Sequence, residues 1–343
     1  MNRVAVLPAR ERSELFREAA WQLGDARGMN PAVVEKDFWV CWVLKQLFED
    51  PELKDRMVFK GGTTLSKCYQ LIERFSEDID LILDWRLLGY GAGQRDPFED
   101  FGSNTKQDKF NKQFNAAAVA YISTTLVGQL GRMFEQCPGV SASVDPSDGH
   151  TINVAYPAAF AESYLRPEVR LEIGPLGSWI PSSWHDITPY AATAFPAVFK
   201  KPVSRAATIA AERTFWAKAT ILHQEAHRTG PVPPRYSRHY YDLYRLARSP
   251  VKAAALGDTQ LLRDVVAFKR RFYPAKWANY ESAIPGSFKL TPAADQLADL
   301  RRDYRGMAVM FFGETPAWDD VVDTLQKLED EINRPEVART ATG

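Results

Sequence analysis

The chain has 343 residues, of which 45% are apolar, 12% aromatic and 25% charged, a profile that allows one large or two modest globular domains with a buried core. Its 43 Lys and Arg residues balance 43 Asp and Glu, which excludes a surface uniformly coated for nucleic acid. Three cysteines, Cys41, Cys68 and Cys137, fit neither a disulfide framework nor a zinc site, and suit a reducing compartment. The opening MNRVAVLPARERSELF carries charges where a signal peptide needs its apolar run. The longest apolar runs, such as Phe38 to Leu44, reach seven residues, far short of a bilayer span. The expectation is a soluble cytoplasmic protein with no membrane contact. The overall balance hides one asymmetry: from Lys200 to Lys276 sixteen basic residues stand against five acidic ones, a surplus of eleven that could meet an anionic partner.

In chain order, amphipathic helices are predicted at 10–23 and 31–48. The second has Asn30 as its N-cap and Pro31 at its first position. Val34, Phe38, Cys41, Trp42 and Phe48, with Val40 and Leu44 beside them, give it a broad apolar face. Met57-Val58-Phe59 reads as a short strand that ends at Gly61-Gly62. A helix of about a dozen residues should follow, because Leu65, Cys68, Tyr69, Ile72 and Phe75 recur at helical spacing. Asp78 to Leu83 reads as a second strand. Residues 86–115, rich in Gly, Asp, Asn and Gln, look like an insertion or long loop, followed by a helix near 113–135. Alternating β-branched residues predict strands at 140–145, 151–156 and 167–173. Five prolines between Gly174 and Pro202 suggest a domain connection. After Ser204 the pattern is helical, with breaks near Pro231–Pro234 and at 284–292 and a final dozen residues expected to fray. The domains read as 1–200 and 201–343.

The stretch VFKGGTTLSKCYQLIERFSEDIDLIL, residues 58–83, carries the chemistry. A strand running into paired glycines and then a helix leaves free backbone N–H groups at the helix start, where a phosphate could approach. Asp78 and Asp80, two apart on a strand, project from one face. Such a pair suits a divalent ion that keeps waters and phosphate oxygens among its ligands. Each part alone is weak, since Gly-Gly before a helix is usually a tight turn and Asp-x-Asp is commonly a solvated strand edge. Together they are more specific: burying Ile79, Leu81 and Leu83 on one face while setting two aspartates on the other is costly without a counterion. His223 and His227 have a metal-compatible i, i+4 spacing, but no carboxylate of the His-Glu-x-x-His kind accompanies them.

FKGGTTLSKCY followed by RFSEDIDL resembles the first motif of the AbiEii/AbiGii nucleotidyltransferase toxins of type IV toxin–antitoxin and phage-defence systems, relatives of the MenT toxins. EKDFWVCWVLKQLF (35–48) resembles their N-terminal helix, VRLEIG (169–174) their second motif, ERTFWAKATILHQEAHR (212–228) their third and RHYYDLYRLAR (238–248) their fourth. WANYESAIPGSFKLTP and LRRDYRGMAVMF are similar to their tail. The Lys60–Leu83 motif is shared with the wider polymerase-β superfamily. The resemblance implies an α+β fold: a polymerase-β-type nucleotidyltransferase domain with a mixed sheet, then a mainly helical C-terminal domain, with the site in a cleft between them. It implies that Gly61, Gly62 and Thr63 contact nucleotide phosphates, that Asp78 and Asp80 hold Mg²⁺ or Mn²⁺, and that Ser76 lies beside them.

The resemblance further implies Glu172 as a third acidic group, although Glu168 stands four residues away on the same strand face and either could be a surface charge. Lys218 is similar to the family's helical lysine, where the alternatives are a triphosphate contact or a snorkelling side chain. Asp242 matches the aspartate of the fourth motif, and could equally form a helical ion pair with Arg238 or Arg245. His239 stands where that motif often has a further aspartate. The implied reaction moves a nucleoside monophosphate from an NTP substrate to an RNA hydroxyl, at the tRNA 3′ acceptor end, with growth arrest through blocked translation and a cognate antitoxin as partner. A protein acceptor, or a nucleotide- or RNA-binding module without turnover, are the competing readings.

Overall fold

The computed structural model describes residues 1–24, 29–91, 96–99, 101–161, 165–175 and 181–334. Most of the C-terminal dozen, and parts of 86–115 and 174–202, therefore lie outside the described residues. The chain divides into two compact units: Met1–Cys68 with Phe75–Ile209, and Tyr69–Arg74 with Ala210–Gly343.

The first unit is an α+β body on one mixed sheet. Its strands are β1 (Met57–Lys60), β2 (Ile79–Leu83), β3 (Ser141–Asp145), β4 (Asp148–Ala155), β5 (Glu168–Gly174), β6 (Ser182–Ile187) and β7 (Ser204–Ile209), in the order β3-β4-β5-β2-β1-β7-β6. β1 runs antiparallel to β2, and β2 runs parallel to β5. β7 runs parallel to β1 and pairs antiparallel with β6. The proline-rich stretch expected as a connection thus holds β6, and the expected helical start after Ser204 is β7. Pro189, Pro196 and Pro202 flank these strands instead of interrupting them, where their missing N–H costs the ladder nothing.

Period-two alternation sets the two sheet faces. Met57, Phe59, Ile79, Leu81, Leu83, Val169, Leu171 and Ile173 are buried in the core with α3 (Pro31–Glu49), preceded in the chain by α1 (Asn2–Ala5) and α2 (Ala9–Leu23). The Asn30 side chain accepts from the Ala32 N–H, the cap that the sequence indicated. α3 is more deeply buried than one apolar stripe requires, with every residue from Ala32 to Lys45 buried. Its charged residues Glu35, Lys36 and Asp37 are at most 2% exposed. Such burial demands partners. Glu35 accepts from the Ala159 and Phe160 N–H groups.

The helix after the glycines, α4 (Gly62–Lys67), is six residues long, about half the expected length. Ile72 and Phe75 are buried as their spacing suggested, but from irregular backbone: Gln70 sits at φ 54°. Tyr69–Arg74 then belongs to the second unit, and tertiary pairing overrides helical periodicity there. Residues 104–115 are helical too. α5 (Asn104–Tyr121) starts on Ser103, whose hydroxyl caps the Lys106 N–H, and passes through a π turn at Ile122–Leu126 into α6 (Val127–Phe134). Ser123 and Thr124 bond back to the Val119 and Ala120 carbonyls at that turn, competing with the regular ladder. α7 (Tyr190–Ala194) closes the unit's helix set.

The second unit is helical: α8 (Ala211–Ala226), α9 (Ser237–Ala247), α10 (Val251–Gly257), α11 (Thr259–Phe272), α12 (Leu297–Gly306) and α13 (Trp318–Asn333). The breaks at Pro231–Pro234 and 284–292 fall between helices, as their turn residues indicated. α9 is at its centre, with Tyr240, Tyr241, Leu243 and Leu246 fully buried. No helix among the described residues is long and apolar enough to cross a membrane.

Candidate active site

β1 ends at Lys60, and Gly61 turns the chain into α4 with φ 87° and ψ −164°. A β-carbon at Gly61 would lie 2.0 Å from the Asp80 carboxylate, so the turn fits only glycine. Strand register makes a row across the sheet: Lys60 opposite Asp80, and Asp80 opposite Glu172. All three occupy the face away from α3, because each alternates with a core residue. Lys60 and Asp80 form a half-exposed ion pair of 3.2 Å. Asp78, half-buried, lies just before β2, and its carbonyl accepts from the Thr63 hydroxyl at 2.5 Å. The Thr63 hydroxyl is thus committed to the backbone, leaving its peptide N–H for any ligand. The Thr64 hydroxyl donates back to the Gly61 carbonyl. Ser76 is half-buried two residues before Asp78.

Glu172, and not Glu168, faces Asp80 across β2 and β5; Glu168 pairs with Arg166 at 3.7 Å. Glu172 is exposed on the strand, and partial desolvation of its carboxyl, then the charges of Asp80 and Asp78, hold its pKa above the ordinary carboxylate value. Among the described residues no group of three or more His, Cys, Asp or Glu is arranged to hold a metal ion. The Asp78–Asp80 pair nonetheless fits Mg²⁺ or Mn²⁺, which take few carboxylates and complete their shell with phosphate and water. A cation there would relieve the repulsion that raises Glu172.

In the second unit, Asp242 on α9 is fully buried and accepts two hydrogen bonds from Arg74, at 2.7 and 2.8 Å. Lys218 on α8 reaches the same carboxylate at 2.8 Å and donates to His239 Nδ1 at 3.0 Å. Burial works to raise the Asp242 pKa, but Arg74 and then Lys218 outweigh it and hold the group ionised. Burial, helped by Lys218, drives His239 far below its usual value, so it is neutral and free to accept from the ammonium. The helical ion pair suggested for Asp242 does not form: Arg245 pairs with Glu73 at 2.9 Å. Lys218 does not snorkel either; it is 7% exposed and ion-paired. Arg74, which lies inside the RFSEDIDL motif, is the residue that sequence reasoning passed over here. No local signal links it to Asp242.

His223 is buried and structural. Its Nε2 donates to the Asn279 carbonyl and its Nδ1 accepts from the Lys289 N–H. Both ring nitrogens are thereby used, and none is left for a metal. Lys269, the first residue of the basic Lys269-Arg270-Arg271 patch, is half-buried with its ammonium on the Ala217 carbonyl at 3.3 Å. Burial and the nearby Lys218 push its pKa down to about 7.

Residues 42–324 match the profile of the nucleotidyl transferase AbiEii toxin of the type IV toxin–antitoxin system. The chain belongs to the AbiEii family. Among solved structures it is similar to the MenT4 nucleotidyltransferase toxin of Mycobacterium tuberculosis, with a TM-score of 0.49 and 15% identity over 96% of this chain and 92% of that one. It is also similar to JHP933 of Helicobacter pylori, with a TM-score of 0.43 and 14% identity over 92% and 99% of the two chains. No curated protein sequence matches it. As an AbiEii protein it is a toxin-type nucleotidyltransferase with a nucleotide substrate and an antitoxin partner in its system. The matched range contains Asp78, Asp80, Glu172, Lys218 and Asp242; Glu35, Lys36 and Asp37 lie upstream of it.

Proposed function

We propose that this AbiEii protein transfers a nucleoside monophosphate from an NTP to an RNA hydroxyl, at the tRNA 3′ acceptor end, and so blocks translation. The observation that carries the reading is the row formed by Asp80 and Glu172, with Asp78 beside it, against the strained turn at Gly61. In this reading the backbone N–H groups of Gly61, Gly62 and Thr63 receive the phosphates, with Ser76 alongside. Asp78 and Asp80 hold Mg²⁺ or Mn²⁺, which when bound supplies neutralisation of the charge that develops during transfer.

The acceptor oxygen bonds to the α-phosphorus while the bond to the bridging oxygen breaks and pyrophosphate leaves. Glu172, whose pKa lies nearer neutrality than a free carboxylate's, takes the acceptor's proton. Lys218 is assigned to the nucleotide phosphates by family likeness; within its own unit, Asp242 and His239 both engage its ammonium. Asp242 and Arg74 hold that lysine in place. The RNA acceptor rests on family likeness and on the basic stretch from Lys200 to Lys276. Incubation of the chain with α-labelled NTPs, Mg²⁺, total RNA and lysate protein tests it. Label on RNA is the expected result. Label on protein alone would make the acceptor a side chain, and nucleotide binding without transfer would make the chain a binding module.

A further inference from the structure

Three consecutive buried charges on α3 have no place in that chemistry. Glu35 holds the backbone at Ala159 and Phe160, while Lys36 and Asp37 reach in two other directions. The Lys36 ammonium meets the Glu77 carboxylate at 2.5 Å, and Glu77 immediately precedes Asp78. The Asp37 carboxylate meets the Lys67 ammonium at 2.7 Å and also accepts from the Tyr190 N–H at 2.7 Å. Lys67 is the last residue of α4, the helix that Gly61 and Gly62 begin, and its ammonium lies over the Tyr190 ring at 3.7 Å. All four charged residues are under 10% exposed. The Thr63 hydroxyl bond to the Asp78 carbonyl joins the two branches. The hydrogen bonds and ion pairs therefore close a ring: Lys36 to Glu77, along the chain to Asp78, across to Thr63, down α4 to Lys67, and back to Asp37.

We propose that Lys36 and Asp37 are positioning residues that fix the two segments of the nucleotide and metal site against each other. This rests on the site assigned under Proposed function. Glu77, held by Lys36, sets the backbone that presents Asp78 and Asp80. Lys67, held by Asp37, sets the helix start that presents Gly61, Gly62 and Thr63. Stability alone does not account for these pairs, because buried ion pairs generally stabilise no better than apolar residues of the same size. Their directional bonds do what apolar packing cannot, which is to fix a distance and an angle.

The test uses the full chain carrying Lys36→Met with Glu77→Met, and a second variant with the pair exchanged, Lys36→Glu with Glu77→Lys. Thermal unfolding, Mn²⁺ binding followed by the free-ion EPR signal, and steady-state NTP kinetics are measured on each. The apolar variant is expected to melt at or above the wild-type temperature yet bind Mn²⁺ about 10- to 100-fold more weakly, the effect typical of removing a group that orients a metal ligand. The exchanged variant should recover much of that affinity. A merely structural pair would shift melting and leave Mn²⁺ affinity alone, and wild-type affinity in the folded apolar variant overturns the proposal. Should the apolar variant fail to fold, the exchanged variant decides: folded with near wild-type affinity supports the ring, folded without it overturns it. A wild-type chain that binds no Mn²⁺ overturns the metal site itself and this inference with it, a result distinct from wild-type and apolar chains binding alike.

Discussion

At the scale of single residues, Gly61 and Asp80 depend on each other. The turn at φ 87° brings the Asp80 carboxylate to where a β-carbon would stand. Gly61→Ala must move that carboxylate and strain the turn, at about 1–3 kcal/mol of backbone cost. We expect a folded variant with nucleotide transfer reduced at least ~100-fold, on the scale of removing one donor to a transition state; near-normal transfer would show that Asp80 tolerates displacement. This coupling was half legible. The paired glycines and the Asp-x-Asp spacing stood out in the sequence, whereas their mutual approach needs the register that sets Lys60 opposite Asp80. Glu172 could be named but not separated from Glu168, because alternation gives both the same face and only pairing with β2 tells them apart.

At the scale of elements, α8 and α9 are tied through Asp242. Asp242→Asn leaves the Arg74 guanidinium and the Lys218 ammonium buried with no countercharge, and should cost about 3–5 kcal/mol in chemical denaturation. Lys218→Met removes one of two cations and leaves Arg74 to neutralise the carboxylate, so it should cost less. An equal loss in both would mean that the carboxylate needs both partners. On the same helix His223 gives a pH dependence. Burial lowers its folded pKa to about 4, against roughly 6.5 when unfolded. Between those values the unfolded chain binds a proton that the folded chain refuses, so stability falls as pH drops from 6.5 toward 4. His223→Asn should flatten that limb; an unchanged slope would place the titration elsewhere, His239 first. Periodicity revealed α8 and α9 readily. It overextended α4, because Leu65 to Phe75 keep helical spacing while Gln70 turns the backbone at φ 54°. It also missed β6, whose flanking prolines read as a linker, and β7, whose residues after Ser204 read as helix.

At the scale of the molecule, part of the basic surplus after Lys200 is matched by acids elsewhere in the chain. Arg245 pairs with Glu73, Lys252 with Glu331, Arg205 with Asp186 and, on the exposed surface, Arg270 with Glu281. Lys269 is turned toward Ala217, so Arg270 and Arg271 are the better test of an RNA-binding face. Replacing both with Ser should weaken RNA affinity and flatten its log–log salt dependence by somewhat under ~1 for each phosphate no longer neutralised, with NTP affinity unchanged. Identical slopes would move the RNA to another face. The sheet order was not legible at all, since pairing β2 with β5 and β1 with β7 joins residues far apart in sequence. The most direct trial of the whole account is transfer of α-labelled nucleotide to RNA by the wild-type chain beside Asp78→Asn and Asp80→Asn, with folding checked by thermal melting. The expected result is labelled RNA from the wild-type chain and none from either folded variant. Labelled RNA from either variant at the wild-type rate would contradict the account.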